Sequence, residues 1–272
     1  LQDWHLCELD GQGLLVCASG PQEAFIYAEH DPKAALDSIR EVLLAQLGPS
    51  YQAVPRGRWG DHIGLTPASP PEEVTSERAD LIWAREAPML GLGVTRTVLL
   101  HGPPGTGKST IARTLAARTM TRWGGRMLRI AVSDFAHLQP SILLEALLFL
   151  RPEVVVIDDL DRFAGVADLL DVLERTHGQQ RLMVATANRL ARLDEAVVRP
   201  GRFDDIFEVV GVTEGLAQQI LGADWDALDG RLRERIAMWP AASVAELAVR
   251  LRGVPDVDVA AEVEDLTARL QG

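Results

Sequence analysis

The sequence predicts an α/β fold built on a five-stranded parallel sheet, with a helical lid after it and a small α+β domain before it. Three observations carry this prediction. Between residues 74 and 211, short apolar runs alternate with helical patterns, which is typical of a parallel sheet covered by helices on both faces. After residue 212 only helical patterns remain. Before residue 50, short alternating strands lead into one amphipathic helix.

The core elements follow one another as strand and then helix. The predicted strands are Thr97–Leu100, Met127–Val132, Val154–Ile157, Leu182–Ala185 and Ile206–Val210. The predicted helices are Lys108–Met120, Ser141–Leu150 and Val166–Arg175. The strands are short, mainly apolar runs joined by helices, so we expect a parallel sheet that is covered by helices on both faces.

The same patterns divide the chain into four segments. We expect a small recognition or adaptor domain over residues 1–50, a linker over 51–73, the α/β core over 74–211 and the lid over 212–272. The linker is predicted because it is rich in Pro and Gly, which interrupt regular structure. In the first segment, Cys7 and Cys17 flank a short loop. A hairpin there would place them opposite each other, and we expect two reduced thiols, with a disulfide as the alternative.

Charge and hydropathy exclude several classes of function. The net charge is −12 and the isoelectric point about 5.0, which argues against a general nucleic-acid binder because phosphate contacts need clustered Lys and Arg. Residues 102–132 contain no acidic residue but several arginines, which we interpret as a solvated helix face, with a second anion site as the alternative. No apolar run is long enough for a membrane span, and we expect a cytoplasmic protein.

A glycine-rich stretch after the first core strand has the spacing of a phosphate-binding loop. The stretch consists of Gly102, Pro103, Pro104, Gly105, Thr106, Gly107, Lys108, Ser109 and Thr110. Its glycines let backbone N–H groups converge on phosphate oxygens, and the helix that follows directs its positive end at the same anion. We expect Lys108 to bridge the outer phosphates of ATP and the Ser109 hydroxyl to bind Mg²⁺.

Two adjacent carboxylates end the third core strand. Asp158 follows an apolar run and should lie at the carboxyl edge of the sheet, where it can hold Mg²⁺. Asp159 stands where related ATPases usually carry Glu as the base that polarises the attacking water. Aspartate has the right charge but is one methylene shorter. We expect Asp159 to support hydrolysis, and a nucleotide-gated scaffold that hardly hydrolyses is the alternative.

The stretch from Thr186 to Asp204 resembles the second region of homology of the AAA family of ATPases. Its Asn-Arg, Leu-Asp and Arg-Pro-Gly-Arg-Phe-Asp elements keep the spacing of that family. The resemblance implies that Asn188 orients the attacking water. It also implies that Arg199 and Arg202 act on the ATP of a neighbouring subunit as arginine fingers, which stabilise the charge of the transferred phosphoryl group.

Within the family, the chain is similar to the chaperones that translocate the Rieske iron–sulfur protein during cytochrome bc complex assembly. Leu160-Asp161 after the acidic pair and the short segment from Ser133 to Glu153 carry this resemblance, and a bacterial relative without a membrane helix fits best. Many family members thread a polypeptide with an aromatic–aliphatic–Gly loop. Here Phe135 has no such Gly after it, which argues against threading.

Two further features concern the nucleotide. The lid segment from Ala241 to Leu247 carries no Arg at the start of its helix, as in AAA members proper, which usually lack the lid sensor Arg. His62 to Leu65 is a candidate strand of the adenine pocket, and a plain linker is the alternative.

These observations predict a homo-oligomeric ring, a hexamer or heptamer, that uses ATP and Mg²⁺ to remodel, assemble or translocate an unidentified protein partner. The trans arginine pair motivates the ring, because such a site is complete only at a subunit interface. The alternative, which would be a binding protein and not an enzyme, is the nucleotide-gated scaffold that hardly hydrolyses ATP. A DNA-handling relative is the third hypothesis, and its only support is the arginine-rich stretch from Arg113 to Arg129.

Overall fold

The computed structural model describes most of the chain. The residues it describes are 4–9, 12–18, 24–28, 32–56, 62–131, 140–163, 166–176, 178–190, 193, 202–253 and 258–271.

Ten strands and ten helices are seen in these residues. The strands are β1 (Trp4–Leu9), β2 (Gln12–Ala18), β3 (Ala24–Ala28), β4 (Ser50–Arg56), β5 (His62–Pro67), β6 (Arg96–His101), β7 (Met127–Ala131), β8 (Val154–Asp158), β9 (Leu182–Ala187) and β10 (Asp205–Glu208). The helices are α1 (Pro32–Leu47), α2 (Glu77–Gly91), α3 (Lys108–Trp123), α4 (Pro140–Leu150), α5 (Val166–Arg175), α6 (Glu214–Leu221), α7 (Ala223–Asp226), α8 (Gly230–Ala237), α9 (Ala241–Gly253) and α10 (Val259–Gln271).

The central sheet confirms the predicted α/β class and is larger than predicted. It has seven strands in the order β10-β6-β9-β8-β7-β4-β5, and the five predicted strands are its first five, all parallel to their neighbours. The prediction of five strands was therefore too low by two. β4 pairs parallel with β7, and β5 pairs antiparallel with β4.

The two additional strands lie in the segment that the sequence assigns to a linker, residues 51–73. Without them, β7 would be an edge strand with a row of backbone groups that lack partners, so β4 satisfies those groups. Proline does not prevent this pairing. β4 pairs with β7 over residues 50–53 only, and Pro55 comes after that stretch. Pro67 ends β5, the outermost strand, where a missing N–H costs little.

The predicted boundary at residue 50 also does not separate two structural units. Helix α1 packs into the core of the central sheet, because Leu44 and Leu47 are buried together with Leu128 of β7 and Leu147 of α4. Only β1, β2 and β3 form a sheet of their own, which is antiparallel. Its register aligns Cys7 with Leu14, so the two cysteines do not lie opposite each other as the hairpin prediction required.

Helices cover both faces of the central sheet. One face packs against α1, α4 and α5, through side chains such as Leu143 and Leu169. The other face packs against α2 and α3, through side chains such as Ile82 and Leu115. Burial on both faces explains why the strands read as continuous apolar runs in the sequence.

The C-terminal helices form a lid with its own core. That core runs from Val212 to Leu266 and includes two buried tryptophans, Trp225 and Trp239. The chain enters the lid through Gly211, whose φ of 62° brings it so close to Ala237 that a Cβ would collide with the carbonyl oxygen of that residue. Arg78 of α2 donates to the carbonyl oxygens of Val210 and Gly211, the latter at 2.7 Å, and so ties the core to the start of the lid.

A buried ion cluster joins α2 to β6 and β10 at the amino ends of these two strands. Arg96 contacts Glu86 at 2.7 Å and Asp205 at 2.5 Å, and these carboxylate side chains are 1% and 8% exposed. Burial raises the pKa of Glu86, and the hydrogen bond from Arg96 opposes that rise. The backbone N–H and hydroxyl of Thr97 donate to the next carboxylate, Asp204, at 2.7 and 2.8 Å. The cluster therefore holds the end of the Arg-Phe-Asp element against β6.

We expect Arg96→Met to lower the free energy of unfolding by about 3 kcal/mol, because it removes the guanidinium from two buried carboxylates. Urea unfolding followed by circular dichroism measures the change. Arg118→Met is the matched control. Arg118 is 13% exposed, as Arg96 is, but its partners Glu73 and Asp80 are 53% and 56% exposed. We expect a cost of about 1 kcal/mol or less for the control. Equal losses in the two variants would contradict the importance of the buried cluster.

Candidate functional site

The predicted phosphate-binding loop connects β6 to α3, with Lys108 as the first residue of the helix. Gly102, Gly105 and Gly107 all have positive φ, so the loop adopts a backbone path that other residues rarely take. At Gly102 a side chain is excluded for a second reason, because a Cβ would collide with the carbonyl oxygen of Val209. The sequence spacing and the loop geometry agree at this place.

Lys108 is held inside the loop. Its side-chain nitrogen donates to the carbonyl oxygens of Gly102 and Pro103, both at 2.7 Å. Burial lowers the pKa of Lys108, and the charges of Asp159 and Asp161 oppose that shift. A phosphate group bound in the loop would favour the charged lysine more strongly than the two carbonyl dipoles do. The amino group is therefore already inside the loop that an anion would enter.

The alternation of side chains along the strands brings three polar residues to the same face of the sheet. Val156 of β8, Val184 of β9 and Met127 of β7 all pack on the α3 side. The residues two positions further along, Asp158, Thr186 and Arg129, therefore point to that side as well. Since α3 begins at the phosphate-binding loop, Asp158 lies where a magnesium carboxylate is expected.

Asp159 has an unusual backbone conformation and a defined partner. Its φ of 59° and ψ of 45° lie in the left-handed region, which Asp tolerates better than most residues. The amide nitrogen of the Asn188 side chain donates to Asp159 Oδ1 at 2.9 Å, and the backbone N–H of Asp159 donates to the Thr186 hydroxyl at 3.1 Å. The structure thus brings the predicted base and the predicted sensor into direct contact.

The third carboxylate of the run, Asp161, contacts the backbone next to the sensor. Its two carboxylate oxygens accept from the N–H groups of Asn188 and Arg189, at 2.9 and 3.3 Å. This contact orients the turn that follows β9. The sequence singled out Asp161 only as part of a family-like run, and its role as a backbone acceptor needed the structure.

Arg129 is a site residue that the sequence analysis did not identify. Its Nε donates to Asp158 Oδ2 at 2.8 Å. A signal was present, because an arginine in the otherwise apolar strand β7 needs a partner at its buried end. The partner could not be named without knowing that β7 and β8 are neighbours.

A cavity of about 390 Å³ lies beside the loop, between the core and the lid. Its lining is mainly apolar and comes from the segment before α2, from the loop and α3, and from the lid. The lining includes Val74, Thr106, Ile111, Leu216 and Ala241. Such a cavity suits a flat, largely apolar ring such as a purine.

The prediction of an adenine pocket at His62 to Leu65 is wrong. These residues belong to β5, which is five strands away from β6 in the sheet order and so about 24 Å from the strand that leads into the loop. The segment that lines the cavity is instead Val74 to Arg78, at the start of α2. The sequence did not identify this segment as cavity lining, because the four polar residues after Val74 form no distinctive pattern.

The lid also approaches the phosphate-binding loop from the other side. A Cβ at Gly105 would lie 3.3 Å from both Pro240 and Ala242, at the start of α9. A second cavity, of about 730 Å³, lies between these elements and reaches Trp239 and Thr267. The lid therefore contacts the loop closely enough to respond to what the loop binds.

The structure describes one of the two predicted arginine fingers. Arg202 is 18% exposed and contacts two carboxylates of α5, Asp171 at 3.0 Å and Glu174 at 2.8 Å. Both carboxylates are about half exposed. Arg199 lies outside the described residues, as do Ser133 and Phe135.

The residues present fit both ATP and Mg²⁺. The loop supplies backbone N–H groups and Lys108 for phosphates, and the adjacent cavity is suited to a base. Ser109 and Asp158 are hard oxygen ligands of the type that Mg²⁺ prefers, and a site of one carboxylate plus phosphates is usual for this ion. Among the described residues there is no group of three or more His, Cys, Asp or Glu side chains that could hold a metal ion.

Part of the chain matches a family model. Residues 98–210 match the model of the "ATPase family associated with various cellular activities (AAA)". This range begins in β6 and includes the loop, Asp158, Asp159 and Asn188.

Curated relatives are similar to this chain over parts of its length. A proteasome-activating nucleotidase of Aeropyrum pernix is 33% identical over an alignment of 141 residues, and the match covers 44% of this chain and 34% of the relative. The ATP-dependent zinc metalloprotease FtsH 4 of Sphaerobacter thermophilus is 29% identical over an alignment of 229 residues, and the match covers 74% of this chain and 30% of the relative. The peroxisomal ATPase PEX6 of Homo sapiens is 29% identical over an alignment of 228 residues, and the match covers 75% of this chain and 22% of the relative. The chain thus spans about a third or less of the length of these relatives.

A solved structure supports the fold. The chain is similar to C. elegans PCH-2 with a TM-score of 0.50 and 15% identity, over 74% of this chain and 71% of that one. The chain has the α/β fold of AAA proteins, and its residues 98–210 match the AAA family model. None of the helices in the described ranges is both long and apolar enough to span a membrane.

We expect Gly102→Ala to lower the free energy of unfolding by about 3 kcal/mol and to abolish nucleotide binding, because the new Cβ collides with the Val209 backbone and strains the loop. Gly93→Ala is the control, since Gly93 also has positive φ but a Cβ added there would meet no atom within 4 Å. There we expect about 1 kcal/mol, from backbone strain alone. Thermal unfolding and the binding of a fluorescent ADP measure both effects. Equal losses of stability would show that the contact with Val209 has no weight.

Proposed function

From the AAA-type fold and the family match over residues 98–210, we propose that this chain is an ATP-hydrolysing ring subunit that remodels, assembles or translocates a protein partner. The observation that carries the proposal is the hydrogen bond between Asn188 and Asp159 at the carboxyl edge of the sheet, next to the phosphate-binding loop. A loop that only holds a nucleotide needs no such pair. A site that hydrolyses one needs a base and a group that orients water.

The residues divide the chemistry among them. Lys108 exchanges its two loop carbonyls for the outer phosphates and neutralises part of their charge. Asp159 accepts a proton from the attacking water while Asn188 orients that water. Bound Mg²⁺, held by Ser109 and Asp158, would stabilise the charge on the phosphate oxygens. Asp161 keeps Asn188 in place through the backbone N–H groups that it binds.

The shorter side chain of Asp159 is compatible with this role. Its left-handed backbone changes the direction in which the carboxylate leaves the strand, and the contact with Asn188 fixes where its oxygens lie. A strained residue that its neighbours hold in place is common at functional sites. We therefore favour hydrolysis over a scaffold that only binds nucleotide.

We propose that Arg199 and Arg202 complete the site of a neighbouring subunit. Arg202 is engaged by Asp171 and Glu174, so it would exchange these exposed carboxylates for a phosphate when subunits assemble. Exposed ion pairs contribute little to stability, and this exchange is therefore inexpensive. The number of subunits, a hexamer or heptamer, stays a prediction.

The kind of partner is proposed from the relatives. Their names describe a nucleotidase that activates the proteasome, an ATP-dependent metalloprotease and a peroxisomal ATPase. The first two names imply work on proteins, and we extend this to the present chain. The three-stranded sheet β1–β3 is the proposed recognition element, because it lies outside the central sheet. The finer similarity to Rieske-protein translocases rests on Leu160-Asp161 and stays a prediction.

A DNA-handling function is disfavoured by the contacts of the arginine-rich stretch. Arg118 is bound by Glu73 and Asp80, Arg126 contacts Glu41, and Arg129 is bound by Asp158. Arginines that are already paired with carboxylates do not form the free basic surface that DNA binding requires. Ion pairing within the chain is sufficient to explain these three arginines.

We expect ATP turnover per chain to rise with protein concentration, because each site needs an arginine from a neighbour. Arg202→Ala should lower turnover by about 1,000-fold, whereas Arg175→Ala, at the exposed end of α5, should leave it unchanged. Mixing Arg202→Ala chains with Lys108→Ala chains should restore part of the activity, since some interfaces then combine an intact loop with an intact arginine. Turnover that is independent of concentration, with no recovery on mixing, would refute the trans assignment.

We expect Asp159→Asn to lower ATP turnover by about 100-fold or more without weakening the binding of ATP, because the amide does not accept the proton of the attacking water. Asp159→Glu should keep measurable turnover. Steady-state phosphate release and fluorescent-nucleotide binding separate the two effects. If Asp159→Asn and the wild-type protein both hydrolyse ATP at the same low background rate, the nucleotide-gated scaffold is favoured instead.

A further inference from the structure

Arg129 occupies one side of the carboxylate that the proposed function assigns to magnesium. Its Nε lies 2.8 Å from Asp158 Oδ2. The other oxygen of the carboxylate, Oδ1, faces the Thr186 hydroxyl at 3.5 Å. Asp158 is therefore contacted by a permanent positive charge on one side and by a weak neutral donor on the other.

The strand geometry enforces this pairing. β7 and β8 are parallel neighbours, and Arg129 aligns with Val156, two residues before Asp158 on the same face of the sheet. The Asp158 side chain is 11% exposed and the Arg129 side chain 37% exposed. The carboxylate is thus largely removed from water, while the guanidinium reaches it from a more open position. Screening by solvent is weak on the Asp158 side, so a charge placed there acts strongly.

Arg129 also has space to leave. A cavity of about 470 Å³ adjoins it on the side of α3, lined in part by Gln52, Glu72, Thr110 and Arg113. Glu72 offers an alternative carboxylate partner for the Arg129 guanidinium within this cavity. Thr110 also lines the cavity next to the phosphate-binding loop, so the two spaces are adjacent.

We propose that Arg129 is an internal cation that competes with Mg²⁺ for Asp158, so that the metal binds firmly only together with nucleotide phosphates. This inference rests on the proposed function, which assigns Asp158 to magnesium. Without phosphates, the guanidinium satisfies the buried carboxylate and repels a divalent ion. With phosphates bound, their negative charge offsets that repulsion, and Arg129 turns toward the phosphates or into the adjacent cavity.

The consequence is a coupling between metal and nucleotide that can be measured without hydrolysis. Mg²⁺ strengthens nucleotide binding, and the factor by which it does so is a ratio of two dissociation constants. The factor is the dissociation constant of a ribose-labelled fluorescent ADP in EDTA divided by its dissociation constant in MgCl₂. Repulsion from Arg129 reduces this factor. Removing the charge in Arg129→Leu should therefore raise the factor, by about tenfold. Arg129→Gln should raise it similarly, because glutamine can still donate a hydrogen bond to Asp158 but carries no charge.

Arg126→Leu is the matched control. Arg126 directly precedes β7, its side chain is 33% exposed against 37% for Arg129, and its carboxylate partner is the exposed Glu41. We expect its factor to equal that of the wild-type protein. Fluorescence anisotropy titrations measure all factors, and circular dichroism shows that each variant is folded.

The outcomes separate this inference from the proposed function. An unchanged or lower factor in both Arg129 variants would overturn the competition, and so would a wild-type factor in Arg129→Gln alone, since hydrogen bonding rather than charge would then matter. Asp158→Asn tests the premise and should lower the factor toward one. If Asp158→Asn leaves the factor unchanged, the magnesium assignment itself fails, whatever the Arg129 variants do.

Discussion

The parallel pairing of β6, β9, β8 and β7 is the constraint on which the functional site depends. Strands that run in one direction end at one edge of the sheet, and the polar groups of the site are attached at that edge. β6 leads into the phosphate-binding loop, β8 ends in Asp158 and β9 leads into Asn188. Alternation along the strands then directs Asp158 to the α3 side, where the loop begins.

Buried charge imposes a second requirement, which the molecule meets in the same way in several places. Lys108 is bound by loop carbonyls, Asp158 by Arg129, and Glu86 by Arg96. Each pairing avoids the high cost of an isolated charge in a dry environment. The difference lies in how easily the partner can leave. Arg96 lies between carboxylates that are almost fully buried, whereas Arg129 borders an open cavity, so the first pair stabilises the fold and the second can rearrange.

The lid adds the coupling that a remodelling ATPase would need. The cavity suited to the base is closed partly by the core and partly by the lid, through Leu216 and Ala241. Arg78 joins the two parts at Gly211, and a Cβ added at Gly105 of the loop would lie 3.3 Å from Pro240. A nucleotide bound in this cavity would contact both the core and the lid, and its release would remove the contacts that hold the lid against the core. This provides a physical route from the nucleotide to the position of the lid.

The sequence by itself determined the class of fold, the predicted phosphate-binding loop, the strand that ends in Asp158 and the strand that leads into Asn188, because these depend on local spacing and on apolar runs. Only the tertiary structure decided which residues meet. Four of these contacts join residues that are far apart in the chain. They are the pairing of β4 with β7, the packing of Leu44 into the central core, the position of Val74 in the lining of the cavity beside the loop, and the contact of Arg129 with Asp158. Strand order sets such contacts, and strand order follows from how the whole sheet satisfies its backbone groups and buries both faces, which no local pattern encodes.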